Sequence, residues 1–344
     1  MLALTGLLAA LPPLLYVFFS RGEDRYARLA GLTAFLAFDL ILFGSFTRLT
    51  DSGLGCPDWP GCYGEANPLA AETPILAAQA HLPSGPVTWA KAWIEMVHRY
   101  FAMGLGVLAL ALAGLAWRRW RRGTAQRPWL AFGVLVAVCV QGAFGAFTVT
   151  LKLQPAIVTL HLLGGLFVLA LLTRLALARQ PAPAHAGRIP RRLAGFALAA
   201  LTLQIGLGGW VSSNYAVLAC PDFPLCHGVW LPPMEFSQAF TFWRPLGMTA
   251  EGEWLAFPSL VAIHWVHRLG ALVTVLILSA LIWRVWRLGL TRWARAATLL
   301  LCLQGLTGLT NVVWQWPLPL AVAHTGGAAL LVMALVWLMS VRRG

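Results

Sequence analysis

The sequence predicts an all-α integral membrane protein made of two pseudo-symmetric, parallel four-helix bundles. Three observations lead to this prediction: an apolar composition, the confinement of most basic residues to short segments, and an internal repeat. Of the 344 residues, 59% are hydrophobic and 11% are charged, and the mean hydropathy is +0.73. A soluble domain carries about 25% charged residues, so most of this chain is expected to face lipid.

Eight apolar segments reach the length of about 20 residues that a membrane-crossing helix needs. A further apolar run covers residues 2–19, which is the length of a signal peptide. It lacks a basic start and a clear small-residue cleavage site, so we interpret it as a retained extra N-terminal helix. The eight core spans are predicted at 31–50, 93–117, 129–150, 156–177, 193–212, 259–283, 296–313 and 319–340.

Most basic residues are clustered beside the apolar runs. Nineteen of the 25 Lys and Arg residues fall in five short segments, and ten of the twelve acidic residues lie outside them. This is the positive-inside pattern of a multispanning membrane protein, which predicts that these segments face the cytoplasm. The net charge of +13 is therefore attributed to topology and not to nucleic-acid binding. The segments are 21–28, 118–127, 174–192, 284–295 and Arg342–Arg343.

The chain contains a duplication. CPDWPGC at 56–62 recurs as CPDFPLC at 220–226, and other strings recur at similar offsets, so the chain consists of two similar halves. Each half holds four spans, and an even number returns the chain to its starting side, so the repeats are parallel. The predicted divisions are an N-terminal helix and turn (1–30), a first half (31–180), a cytoplasmic linker (181–192) and a second half (193–344).

Four histidines lie inside spans at repeat-matched positions, two per half, each about 8 Å from the outer end of its helix. Two imidazoles facing each other across a bundle can ligate heme iron on both faces, whereas a bare metal ion would need more protein ligands. The alternative is a set of polar residues that are hydrogen-bonded within the bundle. The four are His98, His161, His267 and His324.

Charged residues near these histidines differ between the halves. Glu95 lies one turn before His98, and the second half has His264 at the matched position. A membrane carboxylate beside a heme ligand is a candidate acid or base, or else it orients a neighbouring imidazole. Three arginines could bind heme propionates or extend to the membrane interface, and the roles of His264 and Asp39 stay open. These arginines are Arg48, Arg99 and Arg268.

The repeated loop is predicted to cap the outer mouth of each heme chamber. Its cysteines, Cys56 with Cys62 and Cys220 with Cys226, are close enough in sequence to form two small disulfides. The second pair is interpreted as a structural staple. The first pair is either a staple, a redox-sensitive thiol pair or a transient participant in heme handling.

Six strings together resemble the heme A synthase family. The extra N-terminal run (2–19) and the insert at 65–90 resemble its proteobacterial members. The likeness covers about 31–340 and implies oxidation of a porphyrin methyl group of heme O to a formyl group, giving heme A for cytochrome c oxidase. It implies an oxidoreductase of the bacterial inner membrane with its cysteine loops in the periplasm. The strings are TRLTDSGLGCPDWPGCYG (47–64), EMVHRY (95–100), HLLGG (161–165), CPDFPLCHG (220–228), HWVHRLG (264–270) and AHTGG (323–327).

The resemblance also assigns roles to residues. It implies a substrate site for heme O in the first half, with Glu95, His98 and His161, and a resident heme b on His267 and His324 in the second. The implied partners are a heme O synthase as donor and oxidase assembly factors as recipients. Membrane lipid surrounds the chain, and a homo-oligomer stays open.

Two other functions fit part of the pattern. A di-heme cytochrome that only transfers electrons would keep the four histidines but would not need Glu95. A transporter built on parallel repeats would need a path to both membrane faces, and four histidines near one face argue against it.

Overall fold

The computed structural model of the chain describes residues 2–20, 24–124, 127–177 and 189–340. Within these ranges it is all-helical, with eleven α-helices and no β-strand. Residues 181–188 of the predicted linker, residues 21–23 and Arg342–Arg343 lie outside the described residues. The helices are α1 (Leu2–Phe19), α2 (Arg25–Leu49), α3 (Glu72–His81), α4 (Trp89–Arg121), α5 (Trp129–Thr150), α6 (Pro155–Leu177), α7 (Arg191–Ser213), α8 (Phe236–Ala239), α9 (Phe257–Arg287), α10 (Thr291–Val313) and α11 (Leu318–Ser340).

Eight of these helices are long and apolar enough to cross a membrane: α2, α4, α5, α6, α7, α9, α10 and α11. The eight predicted core spans are confirmed as helices, and α1 is the extra N-terminal helix, with a shorter apolar stretch. The long helices α4 and α9 begin before the predicted spans. For α4 the reason is local, because the Thr88 hydroxyl accepts a hydrogen bond from Lys91 N at 3.3 Å and caps the helix.

The described chain separates into two compact units. The first comprises Met1–Leu153 with Gly164–Arg179, and the second comprises Gln154–Leu163 with Gln180–Gly344. In the first unit, α4 packs against α1, α2, α3 and α5. In the second unit, α7 and α10 each pack against both α9 and α11, so these four helices close into a bundle. The domain limits read from the sequence stay a prediction.

The backbone repeats the duplication seen in the sequence. After α5, Lys152 and Leu153 adopt left-handed φ angles of 51° and 56°, and after α10 the matched residues Gln315 and Trp316 adopt 52° and 69°. The two cysteine loops also match in backbone conformation, because Gly64 and Gly228 have φ angles of 76° and 75°. The matched turns show that the two halves share local structure as well as sequence motifs.

Candidate functional site

The structure contains both disulfides that the cysteine spacing suggests. Cys56 and Cys62 are joined with 4.9 Å between their Cα atoms, and Cys220 and Cys226 with 4.8 Å. All four cysteines are buried. Each disulfide closes a short loop beside the N-terminal part of its unit's second core helix, α4 or α9.

In each loop an aspartate side chain accepts hydrogen bonds from backbone N–H groups of the same loop. This role was not predicted from the sequence. The Asp58 carboxylate accepts hydrogen bonds from Tyr63 N and Gly64 N, both at 2.6 Å. Asp222 repeats this with His227 N at 2.7 Å and Gly228 N at 2.8 Å. These bonds, above all the one from Gly228, hold the pKa of Asp222 below its usual range. The available signal was the aspartate that both strings share.

Two of the predicted propionate-binding arginines bind the loops. Arg99 Nη1 donates to the carbonyl oxygens of Gly61 at 2.5 Å, Asp58 at 3.0 Å and Pro60 at 3.3 Å. Arg268 donates to the Leu225 and Cys220 carbonyl oxygens, both at 2.8 Å. The structure thus assigns both guanidinium groups to loop carbonyls, and propionate binding stays a prediction.

The third arginine of that group, Arg48, lies in the last turn of α2. It forms a partly exposed ion pair with Asp51 at 3.2 Å. Earlier on the same helix, Asp39 is partly buried. Neither arrangement assigns these two residues a chemical role.

Glu95 joins α4 to the first loop. Its side chain is 6% exposed, and its Oε2 accepts a hydrogen bond from Cys56 N at 2.8 Å, while Oε1 pairs with Arg99. The matched His264 is also buried in the second unit. The carboxylate therefore has a structural role in addition to the acid or base role predicted for it.

Three of the four matched histidines pack against a glycine on a neighbouring helix. A Cβ atom at Gly44 would lie 3.2 Å from His98 Nε2, and a Cβ atom at Gly208 would lie 3.1 Å from His267 Cε1. A Cβ atom at Gly308 would also lie 3.1 Å from His324 Cε1. The glycines therefore make room for flat rings between close helices.

In the second unit, side chains hydrogen-bond both histidines. Gln204 Nε2 lies 3.0 Å from His267 Nδ1, and Thr307 Oγ1 lies 2.9 Å from His324 Nδ1. His267 lies on α9 and His324 on α11, and both helices belong to the same four-helix bundle. The structure therefore brings together His267 and His324. His161 lies on α6 in the segment Gln154–Leu163, and its predicted pairing with His98 stays a prediction.

The donor set fits heme iron better than a bare metal ion. Within the described ranges, no group of three or more His, Cys, Asp and Glu side chains could hold a metal ion. Heme needs only two protein donors because the porphyrin supplies four nitrogen ligands. His267 and His324 are two imidazole donors in one unit that could hold such a group, and Gly208 and Gly308 leave the space that the imidazole rings need.

The spans and the paired histidines define a multispanning membrane protein with intramembrane histidine sites. Residues 27–336 match the model of the COX15-CtaA family, described as a cytochrome oxidase assembly protein. The chain belongs to this family.

Curated relatives extend over most of the chain. It is 40% identical to a heme A synthase of Shewanella oneidensis over 306 residues, which cover 86% of this chain and 90% of the relative. It is 30% identical to a heme A synthase of Rhodospirillum centenum over 341 residues, covering 90% and 86% of the two chains. It is 32% identical to a heme A synthase of a Methylobacterium species over 334 residues, covering 89% and 88%.

The Glu95–Arg99 pair should contribute strongly to stability. Glu95→Ala leaves Arg99 buried without its carboxylate and should lower the free energy of unfolding by about 3–5 kcal/mol. Glu95→Gln retains an acceptor for Cys56 N and should cost less. Denaturant unfolding of the purified protein in detergent measures both. Asp51→Ala breaks an exposed pair and should cost about 1 kcal/mol or less, and an equal cost for Glu95→Ala would contradict the assigned burial.

The Asp222 carboxylate should stabilise the second loop only while it is ionised. Its lowered pKa means that the stabilisation is complete above the unfolded pKa of about 3.9 and is lost as pH falls through the folded pKa. Thermal unfolding should therefore show a constant deficit for Asp222→Asn from about pH 8 to 5, which shrinks below about pH 4. Glu251→Gln serves as an exposed control in the same outer segment. A deficit that grows on acidification would contradict this role.

Proposed function

We propose that the chain is a heme A synthase, an enzyme that oxidises a porphyrin methyl group of heme O to the formyl group of heme A. The observation that supports this most is the pairing of repeated histidine sites with a buried carboxylate, Glu95, in one half only. The heme A synthases to which the chain is similar along most of its length agree with it. An electron-transfer cytochrome would have no use for this asymmetry.

In this proposal His267 and His324 hold a resident heme b. Their side chains lie in one four-helix bundle, and neighbouring Gln204 and Thr307 fix the rings. The bound group would supply one-electron redox chemistry within the membrane. The protein supplies the axial imidazoles and glycine-lined space, and its apolar helices exclude water.

The first half would bind heme O as substrate, with His98 and His161 as ligands. Oxidising a methyl to a formyl group releases several protons and electrons, so the site needs a proton acceptor near the reacting carbon. Glu95 is held in place at both carboxylate oxygens, by Arg99 and by Cys56 N. We assign it to accept and pass on protons while Arg99 keeps the loop closed over it.

We also propose the membrane in which the enzyme lies and the proteins that supply its substrate and receive its product. The eight spans fit a multipass membrane protein, and we place it in a bacterial inner membrane with the cysteine loops on the periplasmic side. A heme O synthase would supply the substrate, and cytochrome c oxidase assembly factors would receive the product. Both partners are those that the resemblance to the heme A synthase family implies.

The test is to extract heme from the purified protein and identify it by chromatography with mass detection. The chain would be co-expressed with a heme O synthase in a host that lacks heme A, as wild type, Glu95→Gln and His267→Ala. Wild type should contain heme A or a hydroxylated precursor. Glu95→Gln preserves the contact to Cys56 N, so it should still bind heme but form product about 100-fold more slowly.

His267→Ala serves to test the resident site, and it should lose heme b together with product formation. Circular dichroism of each variant would verify folding. Unmodified heme b and heme O in a folded wild type, with a bis-histidine spectrum, would contradict the enzyme proposal and favour the electron-transfer cytochrome.

A further inference from the structure

We propose that Thr307 is a positioning residue for His324, which fixes its tautomer and its strength as an iron ligand. The inference rests on the proposed function, because it takes His324 as an axial ligand of a resident heme. Thr307 precedes Gly308 on α10, and His324 lies on the adjacent α11. Thr307 hydrogen-bonds the imidazole of His324, and Gly308 leaves room for that ring.

The hydrogen bonds of Thr307 determine which atom donates. Its Oγ1 lies 2.9 Å from the Leu303 carbonyl oxygen and 3.2 Å from that of Gln304. Carbonyl oxygens only accept hydrogen bonds, so the hydroxyl proton is directed to its own helix. The contact of 2.9 Å with His324 Nδ1 must then run from the ring to the hydroxyl oxygen.

A second contact assigns the same tautomer independently. Gln304 Nε2 lies 3.3 Å from His324 Nε2. An amide nitrogen only donates hydrogen bonds, so His324 Nε2 accepts and carries a lone pair. Both contacts place the proton on Nδ1 and leave Nε2 as the nitrogen that can ligate iron, once the Gln304 side chain has turned away.

The Nδ1 contact also sets the strength of the ligand. A metal-ligating histidine commonly donates its other ring N–H to a fixed acceptor, which orients the ring and makes it more basic. A more basic imidazole stabilises ferric iron more than ferrous iron. Thr307 should therefore slow heme loss and lower the reduction potential of the resident heme.

The other ligand in this unit is held at the same atom. Gln204 Nε2 lies 3.0 Å from His267 Nδ1 and donates to the His267 backbone carbonyl oxygen, also at 3.0 Å. The amide thus connects the ring to its own backbone and restricts its rotation. An amide nitrogen only donates, so His267 Nδ1 accepts this bond, whereas His324 Nδ1 donates to Thr307. Each imidazole of the second unit is held at Nδ1, but by bonds of opposite direction.

In the first half, Gln141 aligns with Gln304, but the positions matched to Thr307 and Gln204 carry no hydrogen-bonding side chain. Phe144 aligns with Thr307, and Leu40 aligns with Gln204, at the same offsets as the surrounding repeat strings. Neither side chain can accept or donate a hydrogen bond. Phe144 and Leu40 therefore cannot reproduce the side-chain contacts that Thr307 and Gln204 make in the second half.

The experiment measures heme retention and reduction potential in the purified full-length protein. Thr307→Val preserves the shape and removes the hydroxyl group, while Thr307→Ser preserves the hydroxyl. Thr310→Val is the matched control, because Thr310 donates to the Thr307 carbonyl oxygen and does not contact the ring. Heme loss is followed by transfer to an excess of a heme-free acceptor protein, and the potential by redox titration.

Thr307→Val should lose the resident heme about 10–100-fold more readily and should have a more positive potential. Thr307→Ser and Thr310→Val should resemble wild type. If Thr307→Val does not fold, Thr307→Ser against Thr307→Ala makes the same comparison, since these two differ only in the hydroxyl.

The outcomes separate this inference from the proposed function. Wild-type retention and potential in a folded Thr307→Val variant would overturn the role of Thr307 while leaving the resident heme in place. If the heme spectrum of the His324→Ala variant is the same as that of wild type, the assignment of heme to this histidine pair is overturned. The basis of the inference about Thr307 is then lost as well.

Discussion

In each unit, the conformation of the cysteine loop depends on one arginine, Arg99 or Arg268, that binds its carbonyl oxygens. These loops have little regular backbone pairing, and near the membrane each unpaired carbonyl is costly. A guanidinium group offers five N–H donors in a rigid arrangement, so one side chain satisfies several carbonyls. The disulfide and the aspartate then close the loop on itself.

Because each arginine follows a histidine directly, the loop and the histidine ring are fixed to the same helical turn. His98 packs against Gly44 while Arg99 bonds the first loop, and His267 packs against Gly208 while Arg268 bonds the second. A change in the loop is therefore expected to affect the ring position. This coupling gives a physical reason for repeating the loop in both halves.

The two halves differ in the side chains that surround this arrangement. In the first, Glu95 adds a buried carboxylate between the arginine and the loop. In the second, Gln204 and Thr307 add hydrogen bonds to the histidines instead. A site that performs chemistry on an exchanging substrate needs a proton acceptor, whereas a site that keeps its cofactor needs firmly held ligands.

Much of the fold could be predicted from the sequence, because apolar length and charge placement specify membrane helices with few alternatives. The eight spans and both disulfides follow from such local patterns. The contacts of Arg99 and Arg268 could not be predicted, because a conformation of loop carbonyls leaves no trace in residue type. Asp58 and Asp222 were readable in principle from the repeat. Gln204 and Thr307 were not, since one polar residue on an apolar helix does not indicate its partner on another helix.

The most direct test of two unequal heme sites is a cryo-electron microscopy map of the enzyme purified with its heme. The account predicts planar density ligated by His267 and His324, with Thr307 within hydrogen-bonding distance of His324 Nδ1. A second planar density should appear at His98 only when heme O is supplied. Permanent heme at His98, with none between His267 and His324, would contradict the account.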